Sequence, residues 1–439
     1  MSYEVIALGS LALMLALIYA GLHVAITLGL LSFVGVWFIR GDMEIAANLL
    51  AQAVSDAIAS HIFGVVPLFV LTGFLVAYAD VGKDAFEVAN QAFRRVRGGL
   101  GVATVAANAV FAAITGISIA SAAVFTRVAV PEMLRFGYLP RFAVGVVGGS
   151  SVLGMLIPPS LLMILYGFLS DQSVGDLFTA GIVPGLILAL AYGVLIVAMA
   201  TLRPQSVYAH EPLSVEPTTL MPLSTMLLKV VPIVALIGTI LGGIYSGLFT
   251  ATEAGAVGAL VALVIAMLRR KLDWRRLWDV LTETGHVTVS VSFLIICASI
   301  YTRMLAMSGT PQVVLEWMAA AGLGEVGFLT IYAIVIVLLG TIVDSSSILL
   351  IVLPLMLPIA QELGLNLIWF GVVTVVAVEI GLLTPPFGLS IYVIKSTLGS
   401  SLRLPLGDMF LGTAPFTLTM LAVLVVLMAF PQLSLVLLK

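Results

Sequence analysis

Long apolar runs set the pattern of this chain. Residues 142–170 and 177–202 pass without one Asp, Glu, Lys or Arg, and about 20 apolar residues suffice to cross the hydrocarbon core of a bilayer. The runs predict crossings near 4–20, 22–39, 63–80, 141–170, 177–201, 223–245, 248–268, 287–307, 366–395 and 408–430. Segments 98–134 and 326–361 are each predicted to enter and return on one side, as hairpins that either cross twice or re-enter. Two stretches, 44–60 and 269–284, are too polar to span and predict amphipathic helices at the interface, the second with Trp274 and Trp278 beside Arg275 and Arg276. Met1 to Ala20 lacks a cationic leader and a small-residue cleavage site, so it reads as a retained span. Residues 203–222, with four prolines and the polar Gln205, His210 and Glu211, read as a linker.

Composition turns this pattern into a class. With 61% hydrophobic and only 9% charged residues, water cannot be the main solvent, and the chain is expected to be an all-α integral membrane protein in the lipid bilayer. Loop charge then orients it. Arg94, Arg95 and Arg97, Arg135 and Arg141, Arg203, Arg269 to Lys271, and Lys395 and Arg403 all fall on one side, expected to be cytoplasmic. Both termini and the acidic loop Asp171 to Asp176 then lie outside. A net charge of −3 without a large basic cluster argues against a nucleic-acid partner. Cys297 is the single cysteine, so no internal disulfide forms. The chain shows no zinc spacing, Walker loop, dinucleotide fingerprint or metalloprotease helix, so no cofactor and no ATP drive of its own are expected.

An internal repeat reorganises the reading. Gly82, Pro131, Gly137, Gly154, Pro158 and Pro159 recur 227 positions later as Gly309, Pro358, Gly364, Gly381, Pro385 and Pro386. Upstream, Gly21, Ala25 and Gly29 match Gly247, Ala251 and Gly255 at a spacing of 226. The expected organisation is a first repeat over 1–202, with hairpin 98–134 and broken helix 141–170, a cytoplasmic linker over 203–222, and a second repeat over 223–439, with hairpin 326–361 and broken helix 366–395. Charge places the two hairpins on opposite sides, so the repeats are inverted. Inverted repeats with interrupted helices point to the binding site of a secondary transporter.

The interruptions are the double prolines Pro158-Pro159 and Pro385-Pro386. Each proline removes a backbone donor and clashes with the preceding turn, freeing carbonyls near Met155 to Ile157 and Leu382 to Thr384. In hydrocarbon these need partners. Either Ser160 and Thr384 satisfy them locally, or they help to build paired cation sites, since sodium, like other hard cations, takes oxygen ligands. Facing them would be the hairpin turns Thr115 to Ser121 and Asp344 to Ser347. The expected ion ligands are Thr115, Gly116, Gly154, Ile157, Asp344, Ser346, Gly381 and Thr384, with sodium as the coupling ion. Ser118, Ser121 and Ser345 are the expected substrate contacts, together with the positive ends of short helices. Asp344 is an ionisable residue in an uncharged stretch, which marks function by default. Glu379 is either functional or a carboxyl satisfied by neighbouring helices, and Glu253, near the outer end of a span, is either structural or functional. His23, His61 and His286 show no metal-binding spacing.

At these residues the chain resembles the large membrane subunit of tripartite ATP-independent periplasmic (TRAP) transporters. The resemblance rests on Gly148 to Ser151 leading to Ile157-Pro158-Pro159-Ser160, on Gly181-Ile182-Val183-Pro184-Gly185, on Gly247 to Ala254, and on Glu379-Ile380-Gly381-Leu382-Leu383-Thr384-Pro385-Pro386. It implies an elevator-type, sodium-coupled symporter of a bacterial or archaeal inner membrane. Such a protein would import small organic anions, carboxylates or sugar acids, beside a small four-helix membrane subunit and a periplasmic substrate-binding protein carried on separate chains. It would not be an enzyme. Two alternatives remain from the residues alone: a stand-alone sodium/carboxylate symporter of related architecture, and an intramembrane hydrolase using Ser345 and Asp344. The hydrolase lacks a base, because no histidine lies near Ser345 in sequence.

Overall fold

A computed structural model describes residues 3–59, 61–209, 221–399 and 402–438. Residues 210–220 of the expected linker lie outside the described residues. Its beginning, 203–209, carries the short turn Pro204–Ser206 and is held to the core where Tyr208 bridges Tyr138.

Helices build everything else. Tyr3–Tyr19, Val24–Arg40 and Met43–Ala59 lead through the turn His61–Gly64 into Val65–Tyr78 and Val81–Phe93. A hairpin follows, Gly99–Thr115 going in and Ser118–Arg135 returning, and then a broken helix of Pro140–Ser151, Leu153–Leu156 and, after an interruption, Leu161–Ser170. Val174–Leu202 closes this half. The second half repeats the order with Leu223–Tyr245, Ala251–Leu268, Trp274–Ser308 and Thr310–Ala320, then the hairpin Glu325–Gly340 and Ser345–Glu362, the broken helix Leu367–Leu383 and Leu389–Leu398, and Leu406–Ala429. Seven of the described helices are long and apolar enough to cross a membrane, or up to nine if each bent pair is one span.

Local chemistry explains the boundaries. Thr250 and Glu253 form a capping box at the start of Ala251–Leu268, which satisfies donors that a helix N-terminus leaves free. Glu253 therefore has a structural task in this fold. Asn366 accepts from the amides of Ile368 and Trp369 to begin Leu367–Leu383. Gly137 and Gly364, 227 positions apart, take positive φ values of 78° and 70° and end the two returning hairpin limbs, a conformation glycine adopts without steric cost.

Two features differ from expectation. The stretch 269–284 is not a separate interfacial helix, because Trp274–Ser308 runs unbroken for 35 residues. Its counterpart in the first half is divided at His61–Gly64. Gly64 and Pro67, which divide it, correspond to Val291 and Leu294 in the second half, so nothing there breaks the helix. The helices Val81–Phe93 and Thr310–Ala320 were not expected at all. They are short, and the first is amphipathic, so neither registers as an apolar run.

The broken helices form the centre. Every residue from Phe142 to Ser151 and from Trp369 to Leu383 is buried, whereas the peripheral helix Leu223–Tyr245 exposes Leu228 and Val234, as lipid-facing surfaces do. The halves interlock at this centre. Ser118–Arg135 packs on Pro140–Ser151 of its own half and on Leu389–Leu398 of the other, while Ser345–Glu362 packs on Leu161–Ser170. Pro140–Ser151 also meets Leu406–Ala429 backbone to backbone: a Cβ added at Gly145 would lie 2.1 Å from the Gly412 carbonyl oxygen.

An ionic cluster joins the short helix Val81–Phe93 to the second half. Asp84 receives Lys229 at 3.1 Å and also pairs with Arg269, Lys229 reaches Glu87, and Arg269 donates to the Ala79 carbonyl at 3.0 Å. Asp84 is the shared member, and its side chain is only 14% exposed. Asp84→Asn should therefore destabilise the protein by about 1–3 kcal/mol, between the values for exposed and buried pairs. Thermal unfolding in detergent tests this against Lys83→Ala, whose side chain is 61% exposed. Equal midpoints for wild type and Asp84→Asn would show that the cluster contributes nothing to stability.

Candidate transport site

At the first break, helix Leu153–Leu156 ends on Ile157, which is extended at φ −79° and ψ 125°. Ser160 restarts the helix: its hydroxyl accepts from the Met163 amide at 3.2 Å and donates to the Met155 carbonyl. At the second break Thr384 is extended at φ −96° and ψ 137°, and its hydroxyl donates to the Ile380 carbonyl at 2.7 Å. Both proline pairs, Pro158-Pro159 and Pro385-Pro386, are joined by cis peptide bonds. At the first break the hydroxyl thus returns a partner to a freed carbonyl, whereas at the second it bonds back to the last turn before the freed ones.

The hairpin tips end against these breaks, halfway along the broken helices. At the first tip Gly116 has φ +64°, and its carbonyl accepts from the Leu161 amide at 3.2 Å. A Cβ there would stand 2.6 Å from the Pro159 carbonyl oxygen, and one on Gly154 would stand 3.0 Å from the Ser118 nitrogen. Thr115 donates its hydroxyl to the Phe111 carbonyl at 3.0 Å. Between tip and break lies a cavity of about 10 Å³ lined by Thr115, Gly116, Ile117, Pro159 and Ser160 together with Phe69, Val70, Leu161 and Ile164, so most of its wall is apolar. That is roughly the space one water molecule needs. Of the expected ion ligands Thr115 and Gly116 line it, whereas Gly154 and Ile157 do not.

The second tip is built differently. Asp344 is the N-cap of Ser345–Glu362, its carboxylate accepting from the Ser347 amide at 3.2 Å. Gly381 lies against Gly340 of the incoming limb so closely that a Cβ on Gly381 would stand 2.5 Å from the Gly340 Cα. Ser346 and Thr384 are half-buried. Among the described residues no group of three or more His, Cys, Asp or Glu side chains is arranged to hold a metal. The oxygens at the tips come instead from hydroxyls, carbonyls and Asp344.

Glu379 joins the two tips. It is fully buried, one turn before the second break, and it accepts from Ser118 Oγ at 2.7 Å and from Ser345 Oγ at 3.3 Å. The two serines are equivalent under the 227-residue spacing, and each opens the returning limb of its hairpin. A hydroxyl that gives its only proton to a carboxylate keeps lone pairs to offer but no donor. Ser118 and Ser345 thus have no proton left to donate, whereas the hydroxyl of Ser121 is buried with no hydrogen-bond partner. Sequence reasoning passed over Asn108, whose amide donates to Ser150 Oγ at 2.6 Å while its oxygen stays unpartnered. A lone amide within an apolar helix was the available signal.

The profile of the family described as "Tripartite ATP-independent periplasmic transporter, DctM component" matches residues 11–433. The chain belongs to this family. The TRAP permease is 35% identical over 377 residues to the C4-dicarboxylate TRAP transporter large permease protein DctM of Pseudomonas aeruginosa, covering 85% of each chain. It is 32% identical to its namesake in Rhodobacter capsulatus over 97% of each. It is 29% identical to the sialic acid TRAP transporter large permease protein SiaM of Vibrio cholerae, covering 98% of this chain and 97% of that one. These relatives are transporter subunits, and the permease is not an enzyme. In fold it is similar to the Alcanivorax borkumensis YdaH transporter, with a TM-score of 0.60 at 12% identity over 88% of this chain and 89% of that one.

The tip geometry predicts a sharp intolerance. Gly116→Ala combines a left-handed backbone with a blocked Cβ, and overpacking of this kind costs about 1–3 kcal/mol. If it is relieved by lifting the tip, uptake by the assembled transporter should fall roughly 5- to 150-fold, the kinetic equivalent of that cost. Gly238→Ala, where a Cβ meets nothing within 4 Å, should transport normally. Wild-type uptake by Gly116→Ala would show that the tip-to-break contact is not used.

Proposed function

We propose that this permease is the large membrane subunit of a sodium-coupled symporter that imports small organic acids delivered by a periplasmic binding protein, beside a small four-helix membrane subunit. The observation that carries this reading is the pair of hairpin tips seated on two broken helices, where hydroxyls and interrupted backbone come together in both halves. Sodium suits such ligands because a buried site of neutral oxygens needs no extra charged side chain. At the first tip Thr115, Gly116, Gly154 and Ile157 would surround it, and at the second Asp344, Ser346, Gly381 and Thr384. Ser121 would meet the substrate, with Ser118 and Ser345 facing the ions. Relatives named for C4-dicarboxylates and sialic acid support an acidic substrate.

The transport core in this reading is the buried assembly of hairpins and broken helices, carried as one body past the lipid-facing helices in an elevator motion. The basic loops support an orientation in the cytoplasmic membrane with both termini outside. Uptake into proteoliposomes holding the permease, its small subunit and the loaded binding protein should then require an inward sodium gradient. Equal uptake driven by a proton gradient in sodium-free buffer would overturn the coupling.

Asp344 offers a second test. Asparagine caps a helix about as well as aspartate, so Asp344→Asn should leave expression and assembly intact and change only the charge at the second tip. Transport should be abolished or strongly reduced. Wild-type uptake with an unchanged sodium midpoint would remove Asp344 from the ion site.

A further inference from the structure

Glu379 breaks the symmetry of the repeat, for the equivalent position in the first half is Val152. One carboxylate nevertheless serves both halves, since its Oε2 binds Ser118 and its Oε1 binds Ser345. All three residues are buried, at 0%, 0% and 6% exposure for Glu379, Ser118 and Ser345. The two returning hairpin helices therefore present their N-termini, and the positive ends of their dipoles, to the same group. We propose that Glu379 is a positioning residue that couples two cation sites, one at each hairpin tip, by holding both serine hydroxyls with their protons inward and their lone pairs toward the ions.

This inference rests on the sodium-coupled reading above and deepens it. Two cations in one buried core repel each other strongly, because charges interact across low dielectric with little screening. A carboxylate between them gives the order cation, anion, cation, in which each ion is attracted to the shared charge. The same carboxylate ties the tips together mechanically, so ordering one tip removes part of the cost of ordering the other. Glutamine at 379 would keep the size but not the charge. Its amide would donate to Ser345 Oγ, turning that hydroxyl from a cation ligand toward a donor.

The test measures sodium dependence in two ways on the purified permease with its small subunit: thermal protection, which needs no substrate, and uptake after reconstitution. Wild type should respond cooperatively to sodium. Glu379→Gln should raise the sodium midpoint roughly 5- to 150-fold, the usual range for coupling between sites, and reduce the Hill coefficient toward 1. Glu379→Asp, which keeps the charge, should retain cooperativity with a smaller rise in midpoint. A wild type indifferent to sodium in both assays would overturn the sodium reading and this inference together. A sodium-responsive wild type whose midpoint and Hill coefficient survive in Glu379→Gln, or in which Gln and Asp behave alike, would overturn the inference alone. Should Glu379→Gln fail to fold, Ser118→Ala, Ser345→Ala and the double variant replace it. Coupling through Glu379 requires their effects on the midpoint to be non-additive, and strictly multiplicative effects would refute it.

Discussion

An interrupted helix inside hydrocarbon leaves backbone groups that only protein can satisfy, and the permease meets this constraint by bringing its interruptions together. The Gly116 carbonyl takes the Leu161 amide that would otherwise lack a partner at the restart of the first broken helix. Gly154 lets the hairpin tip settle on the helix just before the break, and Gly340 and Gly381 allow an equally close approach in the second half. Small residues cluster here because backbone must touch backbone. The interlocking of each returning hairpin limb with the other half's broken helix follows, since neither break is covered by its own half alone.

A repeated backbone does not make repeated chemistry. Gly340 corresponds to Ala113 and Glu379 to Val152, while Gly64, which ends a turn in the first half, corresponds to Val291 within an unbroken helix. The first tip is fastened by a hydrogen bond and encloses a small cavity. The second is fastened by glycine contact and an aspartate cap. The two halves thus share a backbone plan, while the carboxylate that joins the tips is present in one half alone.

The same distinction governs what could be read in the sequence. Hairpins expected at 98–134 and 326–361 lie at 99–135 and 325–362, and the broken helices expected at 141–170 and 366–395 lie at 140–170 and 367–398. Glycine and proline act on the backbone locally, so their spacing reveals these elements. Hydropathy reports the solvent around a segment, so it missed Val81–Phe93, whose acidic charges at Asp84 and Glu87 are spent on Lys229 and Arg269. Glu379 stood out as a carboxyl in an apolar run, but its partner Ser118 lies 261 positions away. No local pattern encodes that contact or the direction in which a hydroxyl points.

The compensation around Glu379 is incomplete, and that bears on how the core works. Its oxygens receive two hydroxyl protons, one of them across a long 3.3 Å bond, and among the described residues no Lys or Arg forms an ion pair with it. Removing a carboxylate from water costs several kcal/mol by order of magnitude, and two hydroxyl bonds to the charged acceptor, about 1.5–3 kcal/mol each at good geometry, offset this only in part where one of them is long. Helix N-termini contribute, but typically about 1 kcal/mol each. If a cation binds nearby, as proposed, it would supply compensation to this carboxylate, and ion binding and closure of the hairpins would then draw on one interaction rather than two.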